Sequence, residues 1–402
     1  MRKIRTSMEN PKTAARRLLA YCQRSDFSGY DPYDALNSAI FKALPFLDFK
    51  FFRLGVTQVM KRIPFNLRPL LLVPKTCNPK GLALFLSAFL KLSRLGVIDQ
   101  ESLVGITVDK LLTLRSNNSS YWCWGYSFPW QTRTIVVPRE APNLVCTSFV
   151  ANALLDAYEE NREPYYLSIA ISAADYIRNE LYWTGADSIA SFSYPLPSLK
   201  TQVHNANFLG AALLCRIYKL CGEKKFVEPA LNVARYSAAK QNNDGSWYYG
   251  EFPTQRWIDN FHTGYNLCAL RSICRCIETS EFESHIRRGF EFYKRHFFRE
   301  DNAPKYFHNR TYPIDIHCVA QSIITFLSLR DLDEGSVRMA FSVFGWAMVH
   351  MWDEKGYFYY QVSPFHKNRI SYMRWSQAWM LLALSTLLEY CDQTAPATRG
   401  LV

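Results

Sequence analysis

Five stretches of this chain begin alike, and their spacing restricts the fold more than any other feature. They start at Val145, Asn205, His262, His317 and Arg374, so that successive starts lie 60, 57, 55 and 57 residues apart. Each enters from a polar or aromatic loop and runs into an apolar helix rich in small residues. Self-similarity at a fixed period marks a repeat architecture, in which each unit buries its apolar face against its neighbours. A period of this size holds two average helices and two connections, so the unit is a helical hairpin. Second helices are predicted between the five stretches, at 165–181, 226–240, 282–296 and 336–351, each with apolar residues three and four apart. One more step back from Val145 reaches Phe85, in a stretch from Gly81 of the same character, which makes six hairpins. The fold class is therefore all-α, an (α/α)6 toroid with small-residue-rich helices inside and amphipathic helices outside.

Residues 1–75 are less regular. Pro45, Pro64, Pro69 and Pro74 break any long helix there, so a helical extension packed on the ring is expected. The toroid takes 76–392, and 393–402, with no core to join, are expected to form a mobile tail. With 49% hydrophobic and 20% charged residues, the chain has material for a core and too little charge for disorder. Its net charge of +12 points to an anionic partner. The basic residues are dispersed and no recognised module appears, so nucleic acid is not expected. Arg2 to Arg5 and Arg16 to Arg17 adjoin Ala14, Ala15, Leu18 and Leu19 and read as a solvated helix face, with membrane contact at most peripheral. The apolar run Leu82 to Leu90 is too short to span a bilayer. Eleven cysteines include no CxxC pair, and the closest, Cys274 and Cys276, face apart on one helix. No signal-type apolar run follows the basic start, so reduced thiols and a cytoplasmic location are expected, without structural zinc.

In a toroid the loops entering the inner helices gather at one mouth, the usual place for a site. Here they are long and aromatic: 121–133, carrying Trp124 and Arg133; 191–197; 244–261, carrying Trp247; 303–316; and 356–373. With 24 Tyr, 27 Phe and 10 Trp, the chain is rich in rings that stack against sugar faces. Polar residues recur where inner helices start: His204 and Asn205, Asn260 and His262, Asp315 and His317, Arg374 and Gln377. Helix N-termini favour anionic or hydroxyl-rich ligands, although any one of these residues also suits a cap. Glu251, Asp259 and Asp315 are the nearby carboxylates, and a carboxylate pair suits glycoside hydrolysis. His262 and His317 suit a general base or a donor. No HxxxH or HExxH pair is present, so neither metal nor cofactor is expected.

Two resemblances add to this. Gln241 to Trp247 (QNNDGSW) resembles the QW motif of triterpene cyclases, whose repeats also build helical toroids, but it is a single good copy without a DxDD motif. Trp247 to Thr254 (WYYGEFPT) is similar to the W-Y-x-E-Y-P-T stretch of D-glucuronyl C5-epimerases, and Arg369 to Tyr372 (RISY) to their R-W-D-Y stretch. The second resemblance implies an α/α toroid, an acidic glycan substrate, and catalysis by tyrosines and a glutamate around the sugar. It puts Glu251 in the place of that glutamate and Tyr372 and Tyr359 in the places of tyrosines. Phe252 stands where that family has tyrosine, Gly250 is inserted, and Tyr359 and Tyr372 lie closer together.

The expectation is a carbohydrate-active protein of polysaccharide biosynthesis, an epimerase, lyase or hydrolase, acting on an acidic oligo- or polysaccharide or a lipid-linked sugar. Tyr372, Tyr359 and His262 are the candidates for proton transfer, with Glu251 in support. Trp124, Arg133, His204, Asn205, Trp247, Asp259, Asp315, His317, Arg374 and Trp375 are the candidates for holding substrate, Arg374 on its anionic group. Two other classes stay open: a non-catalytic toroid that binds a glycan or a partner protein, and an isoprenoid cyclase-like enzyme, against which the lack of clustered aspartates counts.

Overall fold

The computed structural model describes residues 9–98 and 101–394. The Arg2 to Arg5 run and residues 395–402 of the expected tail lie outside the described residues. The helices are α1 (Pro11–Gln23), α2 (Ala39–Ala43), α3 (Lys50–Arg62), α4 (Pro79–Arg94), α5 (Glu101–Thr113), α6 (Leu144–Asn161) and α7 (Pro164–Tyr176). They continue with α8 (His204–Cys221), α9 (Val227–Ala239), α10 (Asn260–Ile277), α11 (Glu283–His296), α12 (Ile316–Ser328), α13 (Ser336–His350) and α14 (Trp379–Thr394). The inner wall is α4, α6, α8, α10, α12 and α14, each packed on the next, with α14 packed back on α4 to close the ring. Outside them α5, α7, α9, α11 and α13 each cover the inner helix that precedes them. This is the expected (α/α)6 toroid.

The sixth outer helix is α1, which packs on α14 and buries Ala14, Ala15, Leu18 and Leu19. Residues expected as an extension thus complete the last hairpin from the other end of the sequence. Arg16 and Arg17, read as a solvated face, stay exposed or half-exposed while Arg16 Nε donates to the Val97 carbonyl at 3.1 Å and Arg17 pairs with Glu9.

Local chemistry fixes the repeat. Asn78, Asn143, Asp259 and Asp315 cap α4, α6, α10 and α12, each side chain accepting from a backbone N–H of the first turn. Such a cap stabilises by about 1 kcal/mol. Helices α6, α8 and α10 are each 18 residues long and end on a left-handed residue, Arg162, Gly222 and Glu278. Small residues let the inner helices close up. A Cβ on Gly264 would stand 2.7 Å from both Gln321 Cγ and Thr325 Oγ1, so α10 meets α12 at a distance that only glycine allows.

Residues 24–78 cross towards the inner helices and are held by two buried ion pairs. Asp31 accepts from Arg374 Nε at 2.7 Å and Nη2 at 2.8 Å, and Asp34 accepts from Arg68 Nε at 2.7 Å. A second small cluster of Ala35, Met60 and Val73 gives α3 a buried face of its own. Short antiparallel pairs finish the loops. Among them Asp315 stands opposite Gln361, whose Nε2 donates to Asp315 Oδ2 at 2.7 Å.

Candidate active site

The ring opens into a cavity of about 1040 Å³, at the upper end of the range for small-ligand sites. Its walls come from 126–134, 194–205, 248–262 and 306–310, from Lys80, Tyr265, His317, Arg374 and Trp375 of the inner ring, and from Tyr33, Gln58, Lys61 and Arg62 of the crossing segment. Four of the five expected loops therefore reach it. The fifth, 356–373, does not border it.

The sharpest arrangement in the wall begins at the N-terminus of α10. Asp259, buried, accepts from the backbone N–H of His262 at 3.0 Å and from Trp257 Nε1 at 2.9 Å. Its Oδ2 also lies 2.7 Å from His262 Nδ1. A carboxylate only accepts, so Nδ1 carries a proton, and in the neutral ring Nε2 then keeps its lone pair. Nε2 has no protein partner among the described residues, and the ring borders the cavity. This is the geometry of an oriented general base.

Phe261 separates it from a second histidine: the ring centroids of His262 and His317 lie 4.1 Å and 4.6 Å from that of Phe261. His317 Nε2 makes a short hydrogen bond with the Tyr265 hydroxyl, while its Nδ1 is buried without a partner. Burial, reinforced by the charges of Lys80 and Arg374, holds His317 well below the usual histidine range. Burial likewise keeps the Tyr265 phenol protonated.

Lysines and arginines dominate the lining. Lys61, Arg62, Lys80, Arg133, Arg256, Arg310 and Arg374 border the cavity against one carboxylate, Asp259. Lys80 Nζ sits 4.3 Å from the Phe149 ring centre and 5.4 Å from that of Trp379. Burial first, then the charge of Arg374, pushes this lysine well below its ordinary value. Such a lysine is relieved by an incoming anion.

Of the sequence-predicted residues, His262, Asp259, His317, Asn205, Arg133, Arg374 and Trp375 border this cavity together. Arg374 does so with its Nε and Nη2 already held by Asp31, and Arg133 lies 4.9 Å over Trp257, which also stacks on the Tyr249 ring at 4.4 Å. Asp315 is one step back, accepting from Trp375 Nε1 at 2.9 Å and from the His317 N–H at 2.8 Å, so it positions two wall residues.

The others stand elsewhere. Tyr372 is buried under Arg68, whose Nη1 donates to its hydroxyl at 2.8 Å. Tyr359 lies in the fifth loop beneath Arg369. Glu251 is bound to His204 Nε2 at 2.9 Å, and that hydrogen bond holds its carboxyl below the usual range; neither residue borders the cavity. Trp124 and Trp247 are core: their indole N–H groups donate to the Leu111 and Ser237 carbonyls at 2.8 and 3.0 Å. Burying a tryptophan there contributes on the order of 4–6 kcal/mol.

Sequence reasoning passed over Lys80, Tyr265, Lys61 and Arg62. Lys80 was findable. It follows Asn78 and Pro79 at the start of the first inner helix, the repeat position that holds Asn205, His262 and His317 in later hairpins. Among the described residues no group of three His, Cys, Asp or Glu side chains is placed to hold a metal ion.

No family model matches the sequence, and no curated protein matches it. Solved structures do match. The family GH76 α-mannanase BT2949 of Bacteroides thetaiotaomicron superposes with a TM-score of 0.66 at 11% identity, over 96% of this chain and 98% of that one. Cellobiose 2-epimerase from Bacillus thermoamylovorans gives 0.64 at 8% identity, over 94% and 99%. An unsaturated glucuronyl hydrolase specific for heparin gives 0.59 at 10%, over 95% and 98%. At these identities the likeness is one of fold: this chain shares its α/α toroid with those three proteins. None of the three is a D-glucuronyl C5-epimerase.

Proposed function

We propose that this chain is a carbohydrate-active enzyme, an epimerase that moves a proton on an acidic sugar of a polysaccharide pathway. The observation that carries the reading is the Asp259–His262 pair on a cavity bordered by seven lysine and arginine side chains and a single carboxylate. His262 Nε2 takes the proton from a ring carbon next to a carboxylate or carbonyl: the C–H bond breaks, its electrons pass into the adjacent carbonyl system, and an N–H bond forms. Asp259 steadies the imidazolium, and Arg374 with Lys80 steadies the charge that develops on the substrate oxygens. The Tyr265 hydroxyl, hydrogen-bonded to His317 on the other side of Phe261, gives its proton to the carbon: the O–H bond breaks, the electron pair held on the carbonyl system forms the new C–H bond, and exchange with solvent returns a proton to Tyr265 and takes one from His262. A lyase would share the first step. Hydrolysis by two carboxylates has less support, because Asp259 already serves His262 and Trp257, while Asp315 and Glu251 lie outside the lining. Eleven free thiols favour a reducing compartment, the cytoplasm.

The test is deuterium exchange followed by NMR, with uronic-acid oligosaccharides and reducing disaccharides as substrates. Exchange at a ring carbon should fall by about 10²–10⁴ in His262→Gln, and substantially in Asp259→Asn, with binding retained. Full exchange in His262→Gln would overturn the assignment. Tight binding without exchange on any sugar would move the chain to the class of glycan-binding scaffolds.

A further inference from the structure

Twelve large apolar side chains stand exposed among the described residues, and seven of them fall between Phe46 and Leu72. Phe51 is 80% exposed, Leu70 74%, Phe46 73% and Phe65 71%. This is not a segment that lacks a core. Helix α3 buries Thr57 and Met60 on one face, Met60 within the cluster of Ala35 and Val73, and presents Phe51, Gly55 and Val59 on the other at four-residue spacing. An ordered helix with an apolar outward face calls for something to cover it.

Charge indicates what that is. Residues 41–75 hold seven basic residues (Lys42, Lys50, Arg53, Lys61, Arg62, Arg68, Lys75) and one acidic residue, Asp48; Arg53 is paired with Asp48 and the buried Arg68 with Asp34, which leaves five. Lys42, Lys50, Arg62 and Lys75 are exposed in the same segment as the apolar side chains. A second copy of the chain meeting this face by twofold symmetry would set these cations against their own images. An anionic lipid surface satisfies both features at once, taking Phe and Leu into its interfacial layer and pairing lysines with headgroups. No helix among the described residues is long and apolar enough to cross a membrane, so the contact is interfacial.

We propose that residues 41–75 are a docking face for an anionic lipid bilayer. Helix α3 also supplies Gln58, Lys61 and Arg62 to the cavity wall. Docking therefore brings the cavity rim to the bilayer, where a saccharide carried on a lipid would meet it.

The experiment is flotation of the full chain with vesicles of phosphatidylcholine alone and of phosphatidylcholine with phosphatidylglycerol. No sugar is needed, so the outcome is independent of the exchange assay. The wild type should float with the anionic vesicles and be released by salt. Phe46→Ser/Phe51→Ser/Phe65→Ser should lower the partition coefficient at least about tenfold, and Lys42→Glu/Lys50→Glu about fivefold or more per residue. All five positions are outside the core, so melting temperatures should match the wild type; Lys42 Nζ donates to buried Asn37, so Lys50→Glu alone carries the charge test if the double variant melts lower. Absence of flotation with anionic vesicles, or equal flotation of wild type and variants, overturns the proposal. So does a concentration-dependent dimer that the same substitutions disperse while vesicles go unbound.

Discussion

Replacing Asp31 with alanine removes the carboxylate that the Arg374 guanidinium grips twice, at 2.7 Å from Nε and 2.8 Å from Nη2. Both side chains are 5% exposed, so the cation cannot turn out into bulk water. Breaking a buried pair from one side typically costs about 3–5 kcal/mol, since the remaining charge stays desolvated. Arg374 also borders the cavity, where water can reach part of it, which places the expected loss at the lower end, about 3 kcal/mol. The measurement is guanidinium chloride unfolding followed by far-UV circular dichroism and by tryptophan fluorescence, with coincident transitions required before a free energy is taken. The companion variant is Asp31→Ala/Arg374→Met. It trades the pair for apolar contact and should recover most of the loss. A loss below about 1 kcal/mol in Asp31→Ala, or a double variant no more stable than the single, would refute the view that this pair fastens the crossing segment to the ring.

Two further outcomes follow from buried ionisable groups. Burial pushes the Asp315 carboxyl from 3.8 up to about 6, so its contribution to stability is whole below pH about 4 and is lost as pH rises through about 6. Asp315→Asn cannot ionise, and it should therefore gain on the wild type across that window, by on the order of 3 kcal/mol at most; a stability difference flat in pH would count against it. Because burial holds Lys80 well below the usual lysine range, an anion entering the cavity should draw a proton onto it. Calorimetry with a uronic-acid oligosaccharide in buffers of different ionisation enthalpy should then give net proton uptake at mildly alkaline pH, absent in Lys80→Met. Uptake unchanged in that variant would assign the proton elsewhere.

The ring was legible because its determinant is local and repeated: small residues such as Ala151, Ala211 and Gly264 recur within the inner helices. The role of α1 was not, since its partner α14 stands at the far end of the chain and no periodicity links the two. The same division runs through the site. His262, His317, Asn205 and Arg374 were found because each occupies the start of an inner helix, where geometry delivers side chains to the mouth. Tyr372, Tyr359 and Glu251 were chosen on short motif likenesses, which record residue types in order but not the turn of the backbone. The loop that carries Tyr359 and Tyr372 instead joins the Asp315–Gln361 strand pair and the Arg68 cluster. Lys61 and Arg62 were missed because proline breaks made their segment look peripheral, when it crosses to the cavity wall.

The packing of α1 on α14, at the seam where α14 meets α4, also governs the order of assembly. Loop entropy rises slowly with length, yet this contact joins two helices with every other described helix between them, so neighbouring hairpins along the chain can stack well before it forms. Until then the molecule is an open arc. The flank of α4 that α14 will cover is wet and adhesive, and such states are where large proteins aggregate. Lys80, His262 and His317 of the cavity wall sit on α4, α10 and α12, but Arg374 arrives with the run into α14, so no complete pocket exists before the seam shuts. A sugar that fills the pocket would bind only the closed ring and, by mass action, hold the seam together.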